Sequence, residues 1–366
     1  MRYNPLPAQV YQRNRATLTK HLPERAVVIL HANDTMPTNA DGTMPFRQNN
    51  NLLYLTGIDQ EETILVMAPD HPNPDLREVL FIRETSEEIA IWEGPKHTLE
   101  EGRERSGIEK VRWTKDFEGA LAGIVNDSDE IFLYKNEHDR ATNPVPTRND
   151  RFIESIKRQF PLHKLNRLAP LLYDLRAVKT QEEIDAVQKA CDITDHGFRA
   201  LLSALRPGMY EYELEAILSY EFLRRGSRGF AYQPIVAGGA NACILHYVEN
   251  DQKLRDGDLV LLDVGAEYGN YNADLTRTIP VNGRFTKRQR DVYEAVLRVK
   301  NEATALLRPG ANLKDYQEEV GKMMTSELIG LGLLTAEEVA AQDPKSPAYR
   351  KYFMHGTSHH LGLDVH

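Results

Sequence analysis

Short apolar runs separated by polar, proline-rich connections mark the first half of the chain. Residues 26–30, Ala-Val-Val-Ile-Leu, are rich in β-branched side chains and read as a buried strand. Residues 62–67, 78–82 and 131–134 read the same way, and 117–125 read as a short helix. This alternation predicts an α/β domain with a mixed sheet. Residues 143–149, with Pro144 and Pro146, read as a loop. The texture changes near residue 170. Thr180 followed by Glu183 makes a capping box and opens a long helix. Ile184, Val187, Cys191, Thr194 and Phe198 recur at helical spacing and predict its buried face, and Pro207-Gly208 ends it. Further helices are expected over 211–223 and 287–307, the last closing at Pro309-Gly310, with strand over 258–268. The expected class is α/β (α+β) in two domains, 1–172 and 173–366.

Composition narrows the classes. The net charge of −9 comes without any basic stripe, which speaks against a nucleic-acid partner. No apolar run is long enough to span a bilayer, and the first residues lack the apolar core of a signal peptide, so the expectation is a cytoplasmic protein without a membrane partner. Cys191 and Cys243 are far apart and outside any C-x-x-C spacing; two buried, reduced thiols are expected.

The segment from Leu259 to Ile279 carries the strongest chemical signal. It reads as a hairpin around Tyr268, Gly269 and Asn270. A turn on Tyr268-Gly269 sets Asp263 directly opposite Asp274. A turn on Gly269-Asn270 shifts the pairing and still leaves both carboxylates on one sheet face, because strand side chains alternate. Two carboxylates there repel each other and lose water, a cost that a divalent cation removes. Oxygen donors suit Mn²⁺, Mg²⁺ or Ca²⁺, and added histidine suits Zn²⁺ or Co²⁺. The bland reading, two solvated strand aspartates, is weakened by the apolar neighbours of Asp263.

Four histidines, His355, His359, His360 and His366, crowd the last stretch. Gly356 and Gly362 argue against one continuous helix, so a loop or strand presenting imidazoles to a pocket is expected. Ser358 lacks a G-x-S-x-G elbow and is not read as a nucleophile. His246 falls in the apolar segment 240–247, read as strand after Gly238-Gly239; a satisfied core histidine is the ordinary alternative there.

Taken together, Ile244-Leu245-His246-Tyr247, Asp263 with Asp274, and His355-Gly356-Thr357-Ser358-His359 resemble the pita-bread metallopeptidase family, most closely its aminopeptidase P (Xaa-Pro aminopeptidase) group. Phe46-Arg47-Gln48-Asn49, Leu53-Tyr54-Leu55-Thr56-Gly57 and Leu175-Arg176-Ala177-Val178-Lys179 extend the resemblance over nearly the whole chain. It implies a creatinase-like first domain and a pita-bread catalytic second domain. It implies cleavage of the bond before proline, releasing the residue ahead of it from peptides with proline second. It implies Asp263, Asp274 and His359 as ligands of a dinuclear centre, with Mn²⁺ the expected metal. It implies His246, His355 and His366 as non-ligand histidines around substrate, a homodimer or homotetramer, and Trp92 reaching a neighbouring subunit's site; a plain surface tryptophan is the alternative. A metal-bridging hydroxide suits a tertiary amide that offers no N–H.

The resemblance also implies two glutamate ligands beyond the second histidine motif, one of them the general base. The sequence stops at His366 without them. The expectation is that the natural chain continues; the alternative is a catalytically inactive protein-binding module. A prolidase, acting on Xaa-Pro dipeptides, is the nearest enzymatic rival. A creatinase-like hydrolase needs no metal, and methionine aminopeptidases usually lack such a first domain.

Overall fold

The computed structural model describes residues 3–142 and 144–366. The chain forms two compact units, Tyr3–Ile184 and Asp185–His366, and passes from one to the other inside a long helix, beyond the expected 172/173 boundary. No helix among the described residues is long and apolar enough to cross a membrane.

The first unit is built on a six-stranded sheet. Its strands are β1 (Ala26–His31), β2 (Ile64–Met67), β3 (Glu78–Ile82), β4 (Lys110–Trp113), β5 (Glu130–Leu133) and β6 (Lys164–Arg167), in the order β4-β3-β2-β1-β5-β6. The β1–β2 and β2–β3 pairs are antiparallel and the others parallel, so the sheet is mixed, as expected. Its helices are α1 (Ala8–Thr19), α2 (Asn50–Thr56), α3 (Glu87–Glu93), α4 (Leu99–Ser106), α5 (Phe117–Val125), α6 (Arg148–Gln159) and α7 (Ala169–Ala177). Val27 and Ile29 of β1, Val66 of β2 and Phe81 of β3 share one core with Phe117, Leu121 and Ile124 of α5 and Ile156 of α6. The expected loop over 143–149 gives way to helix at Arg148, because Thr147 caps α6 and exchanges hydrogen bonds with Asp150. Asn143, the first residue of that loop, lies outside the described residues.

Arg15 of α1 is buried, and its guanidinium makes four hydrogen bonds. It donates to the carbonyls of Leu55 (2.7 Å) and Ser106 (3.0 Å) and to both carboxylate oxygens of Glu78 (2.7 and 3.4 Å). One side chain thus ties α1 to α2, α4 and β3, with its charge paired to Glu78.

The second unit contains α8 (Gln181–Ala204, begun in the first unit), α9 (Glu211–Leu223), α10 (Lys287–Leu306), α11 (Leu313–Gly330) and α12 (Ala336–Ala340). Its strands are β7 (Ile235–Gly238), β8 (Leu259–Val264), β9 (Glu267–Tyr268), β10 (Tyr271–Asn272) and β11 (Leu275–Pro280). An antiparallel sheet in the order β11-β8-β7 packs Val260, Leu262 and Val264 against Ile193, Leu214, Leu218 and Phe222. The capping box at Thr180 and Glu183 forms as expected. The buried face of α8 is the expected one only in part: Thr194 is buried and Phe198 packs against the core. Ile184 is 48% exposed, while Ala186, Ala190, Ile193, Thr194 and Leu201 are buried. Small residues carry this contact: a Cβ on Gly197 would meet the Phe222 ring at 2.6 Å. The thiols also depart from expectation, since Cys191 is half-buried and Cys243 exposed. They are unpaired, as expected.

His31, at the end of β1, is buried with no hydrogen-bond partner on either ring nitrogen. Its ring packs against Phe152 and edge-on to Phe117. Burial, with a smaller contribution from the Arg148 charge, lowers its pKa from 6.5 to about 3. Between those values the unfolded chain takes up a proton that the folded chain refuses, so acid favours unfolding. Relative to His31→Leu, the wild type should lose about 1.4 kcal/mol of stability for each pH unit below its unfolded pKa. Urea unfolding midpoints of both proteins at neutral pH and near pH 5 check this; a pH-independent difference contradicts it.

Candidate metal and peptide site

The hairpin forms with the second of the two expected turns. Tyr268 pairs with Tyr271 and Glu267 with Asn272, leaving Gly269 and Asn270 as a two-residue turn. Both have positive φ, 60° and 69°, the conformation such a tight turn requires. Buried Glu267 fixes the turn by accepting from the backbone N–H groups of Arg228 (2.7 Å) and Asn270 (3.0 Å). In this register Asp263 faces Thr276, and Asp274 lies on the same side of the hairpin.

Side chains alternate along β8, with Val260, Leu262 and Val264 buried in the core. Asp263 therefore sits half-buried on the opposite face, its strand flanked by β7 and β11. Burial raises its carboxyl pKa, and the Asp274 charge adds to the rise. Hydrogen bonds from Tyr232 and Thr276 and the charge of His366 act in the other direction.

Tyr232 joins the two aspartates. Its hydroxyl lies 2.6 Å from Asp263 Oδ1 and 3.0 Å from Asp274 Oδ1. Burial first, and then the two carboxylates, push its pKa far up, so it stays a neutral donor. The backbone explains its placement: Phe230 bridges Ala266 and the Ala231 N–H donates to the Gly265 carbonyl (2.8 Å). Gly265 is required there, because a Cβ would fall 1.9 Å from the Ala273 carbonyl oxygen and 3.2 Å from the Tyr232 ring.

His359 approaches from the C-terminal segment. Its Nε2 lies 3.3 Å from Asp274 Oδ2, while Nδ1 donates to the His360 carbonyl (2.9 Å). The His359 and His366 rings stand 4.5 Å apart, centre to centre. Asn272 secures this segment: its side chain donates to the carbonyls of Gly362 (3.0 Å) and Leu363 (2.8 Å), and its backbone N–H to Gly362 (2.9 Å).

Asp263, Asp274, His359 and His366 thus gather at one place. His246 and His355 take no part in the hydrogen bonds and ring contact that join these four. His355 donates through Nδ1 to the Gly356 carbonyl and packs on Phe353. His246 is exposed on a turn that follows a short 3₁₀ helix, Gly239–Cys243; the strand expected there does not form, and the core-histidine alternative falls with it. Gly239 explains the break, because its φ of 55° turns the chain out of β7. Trp92 is 82% exposed on α3 of the first unit. Tyr232 escaped the sequence reading because nothing local marks it.

No group of three or more His, Cys, Asp or Glu among the described residues is arranged to hold a metal ion. The donor chemistry nevertheless fits a cation. A phenol offers one proton to two carboxylates. His359 stands between two acceptors, the His360 carbonyl at Nδ1 and Asp274 Oδ2 at Nε2. The oxygen and imidazole donors gathered here suit a divalent ion.

Residues 185–366 match metallopeptidase family M24, and residues 11–134 match the aminopeptidase P N-terminal domain. The chain is 34% identical over 362 residues to an Xaa-Pro aminopeptidase of Escherichia coli, covering 98% of this chain and 81% of that protein. Aminopeptidase PepP of Pseudomonas aeruginosa is similar in structure, with a TM-score of 0.88 and 32% identity over 99% of this chain and 81% of that one. A zinc-substituted E. coli aminopeptidase P in complex with product gives a TM-score of 0.87 and 33% identity, over 99% and 82% of the two chains. With an aminopeptidase P N-terminal domain followed by a pita-bread metallopeptidase domain, this chain belongs to the Xaa-Pro aminopeptidase family.

Proposed function

We propose that this protein is a metal-dependent aminopeptidase that hydrolyses the Xaa-Pro bond and releases the N-terminal residue of peptides with proline second. The observation that carries the reading is the pair Asp263 and Asp274, held on one face and sharing one Tyr232 proton. Family membership supports the substrate class.

Asp263, Asp274 and His359 are the proposed metal ligands. Divalent ions held there, two in the full site and Mn²⁺ by preference, supply Lewis-acid polarisation of the scissile carbonyl and an activated water at neutral pH. Tyr232 orients both carboxylates by donating from its hydroxyl. The His360 carbonyl fixes the His359 tautomer by accepting from Nδ1 and leaves Nε2 as the ligating atom. His246, His355 and His366 are the proposed substrate-side histidines, binding peptide oxygens and moving protons at their ring nitrogens. Exposed Trp92 is proposed to serve a neighbouring subunit's site in a homodimer or homotetramer, and the cytoplasm is the proposed location.

The full chain should release alanine from Ala-Pro-Ala when Mn²⁺ is added and stop when EDTA removes it. Cleavage of Ala-Pro alone would instead identify a prolidase. Absence of release from both peptides, with no Mn²⁺ uptake by calorimetry, would sink the enzyme reading in favour of a binding module.

Two substitutions probe the cluster. Asp263→Asn should abolish Mn²⁺ binding and alanine release together, since it removes a ligand charge. Tyr232→Phe should weaken Mn²⁺ affinity or activity by about 10–100-fold, the usual effect of losing a group that orients a metal ligand. Calorimetric titration of folded protein reads both; unchanged affinity in Asp263→Asn contradicts its assignment.

A further inference from the structure

The exposed crest Cys243–His246 rises from β7 and returns through Tyr247 to Gln252. One carboxylate lies beneath it. Glu211, in the first turn of α9, is fully buried. Its Oε1 accepts from the Gly238 backbone N–H (2.7 Å) and the Asn241 side chain (3.3 Å). Its Oε2 accepts from the Tyr247 hydroxyl (2.7 Å) and the Gln252 backbone N–H (2.9 Å). Two donors precede His246 and two follow it, so a single side chain closes the base of the segment. These four donors fill the acceptor sites of a carboxylate.

This is not ordinary capping of α9. Glu213 accepts from the Tyr210 N–H at the helix start, while every side-chain bond of Glu211 goes to residues 238–252. The helix N-terminus favours the buried negative charge. Gly238 permits the approach, because a Cβ there would lie 3.2 Å from Glu211 Oε1 and 2.4 Å from Leu254. The Tyr247 ring packs with Ile235 and Ala237 of β7, which leaves its hydroxyl aimed at Glu211. The returning limb is pinned again where Asn250 accepts from the Val236 N–H (2.9 Å) and donates to the Pro234 carbonyl (3.0 Å).

We infer that Glu211 is a positioning residue for peptide cleavage, its carboxylate holding the 238–252 segment so that His246 meets the substrate. The inference rests on the aminopeptidase reading and on the proposed role of His246. Glu211→Gln keeps the size and loses half the acceptor capacity: an amide N–H₂ would face the Gln252 N–H, donor against donor. Tyr247→Phe removes one of the four bonds and keeps the ring packing.

The test uses the full chain with Mn²⁺ and an Ala-Pro-Ala substrate, comparing wild type, Glu211→Gln and Tyr247→Phe. In Glu211→Gln, kcat should fall by about 100-fold, the scale of a small misplacement of a reacting group. KM and Mn²⁺ affinity should stay unchanged, because the interaction lost belongs to the transition state. Amide hydrogen exchange should quicken within 238–252 and not in β8 or β11. Tyr247→Phe should show the same pattern more weakly, and it carries the test if Glu211→Gln does not fold. Loss of Mn²⁺ affinity in step with kcat would mean a general structural role and overturn the inference. An active wild type whose Glu211→Gln variant keeps its kcat also overturns it and leaves the aminopeptidase reading intact. An inactive wild type removes both.

Discussion

Two negative charges forced onto one face of a small sheet set the terms for the second unit. Asp263 is fixed by the alternation of β8, whose other face supplies Val260, Leu262 and Val264 to the core. Asp274 is fixed by a two-residue turn that only left-handed backbone can make. Neither can turn away without a shift of register that would take apolar side chains out of the core. The repulsion is therefore built into the fold, and the neighbouring groups answer it: the Tyr232 hydroxyl, His359 with His366 beside it, and the Thr276 hydrogen bond. A bound divalent ion would complete that response.

Buried carboxylates recur in this unit with a different solution. Glu211 and Glu267 are fully buried, and each is surrounded by backbone N–H or side-chain donors. Glu211 is satisfied by hydrogen bonds alone, and Glu267 adds the Arg228 guanidinium at 3.6 Å to its backbone donors. The aspartate pair differs in that its two anions share one phenol proton, with one further hydrogen bond to Asp263 from Thr276 and the His359 ring beside Asp274. That contrast separates structural acids from candidate ligands more sharply than burial alone.

Much of this was legible in the sequence where local preference and tertiary packing agree. The helix at Glu211–Leu223 and the strands β1 and β3 fall where the apolar pattern puts them. Strands β4 and β6 were not legible, because Lys110–Trp113 and Lys164–Arg167 are charged edge strands with no apolar run. The buried face of α8 was legible only at Thr194 and Phe198, because Ala186, Ala190 and Gly197 carry much of it, and small residues leave little trace in a hydrophobic pattern. In the site, the aspartate pair followed from strand period and turn chemistry. Tyr232 reaches it only through a tertiary bridge between Phe230 and Ala266, and His246 left its expected strand because Gly239 bends the backbone.

Asn272 also sets an order of maturation. The hairpin bearing both aspartates closes over two residues, on a timescale of about 1–10 μs. The carbonyls that Asn272 secures lie 90 and 91 residues downstream. On a ribosome adding about 5–20 residues per second, that distance is on the order of ten seconds of synthesis. The carboxylates thus come first and the imidazole of His359 last. Under the proposed ligand assignment, a nascent chain would present oxygen donors alone until the histidine segment docks through Asn272.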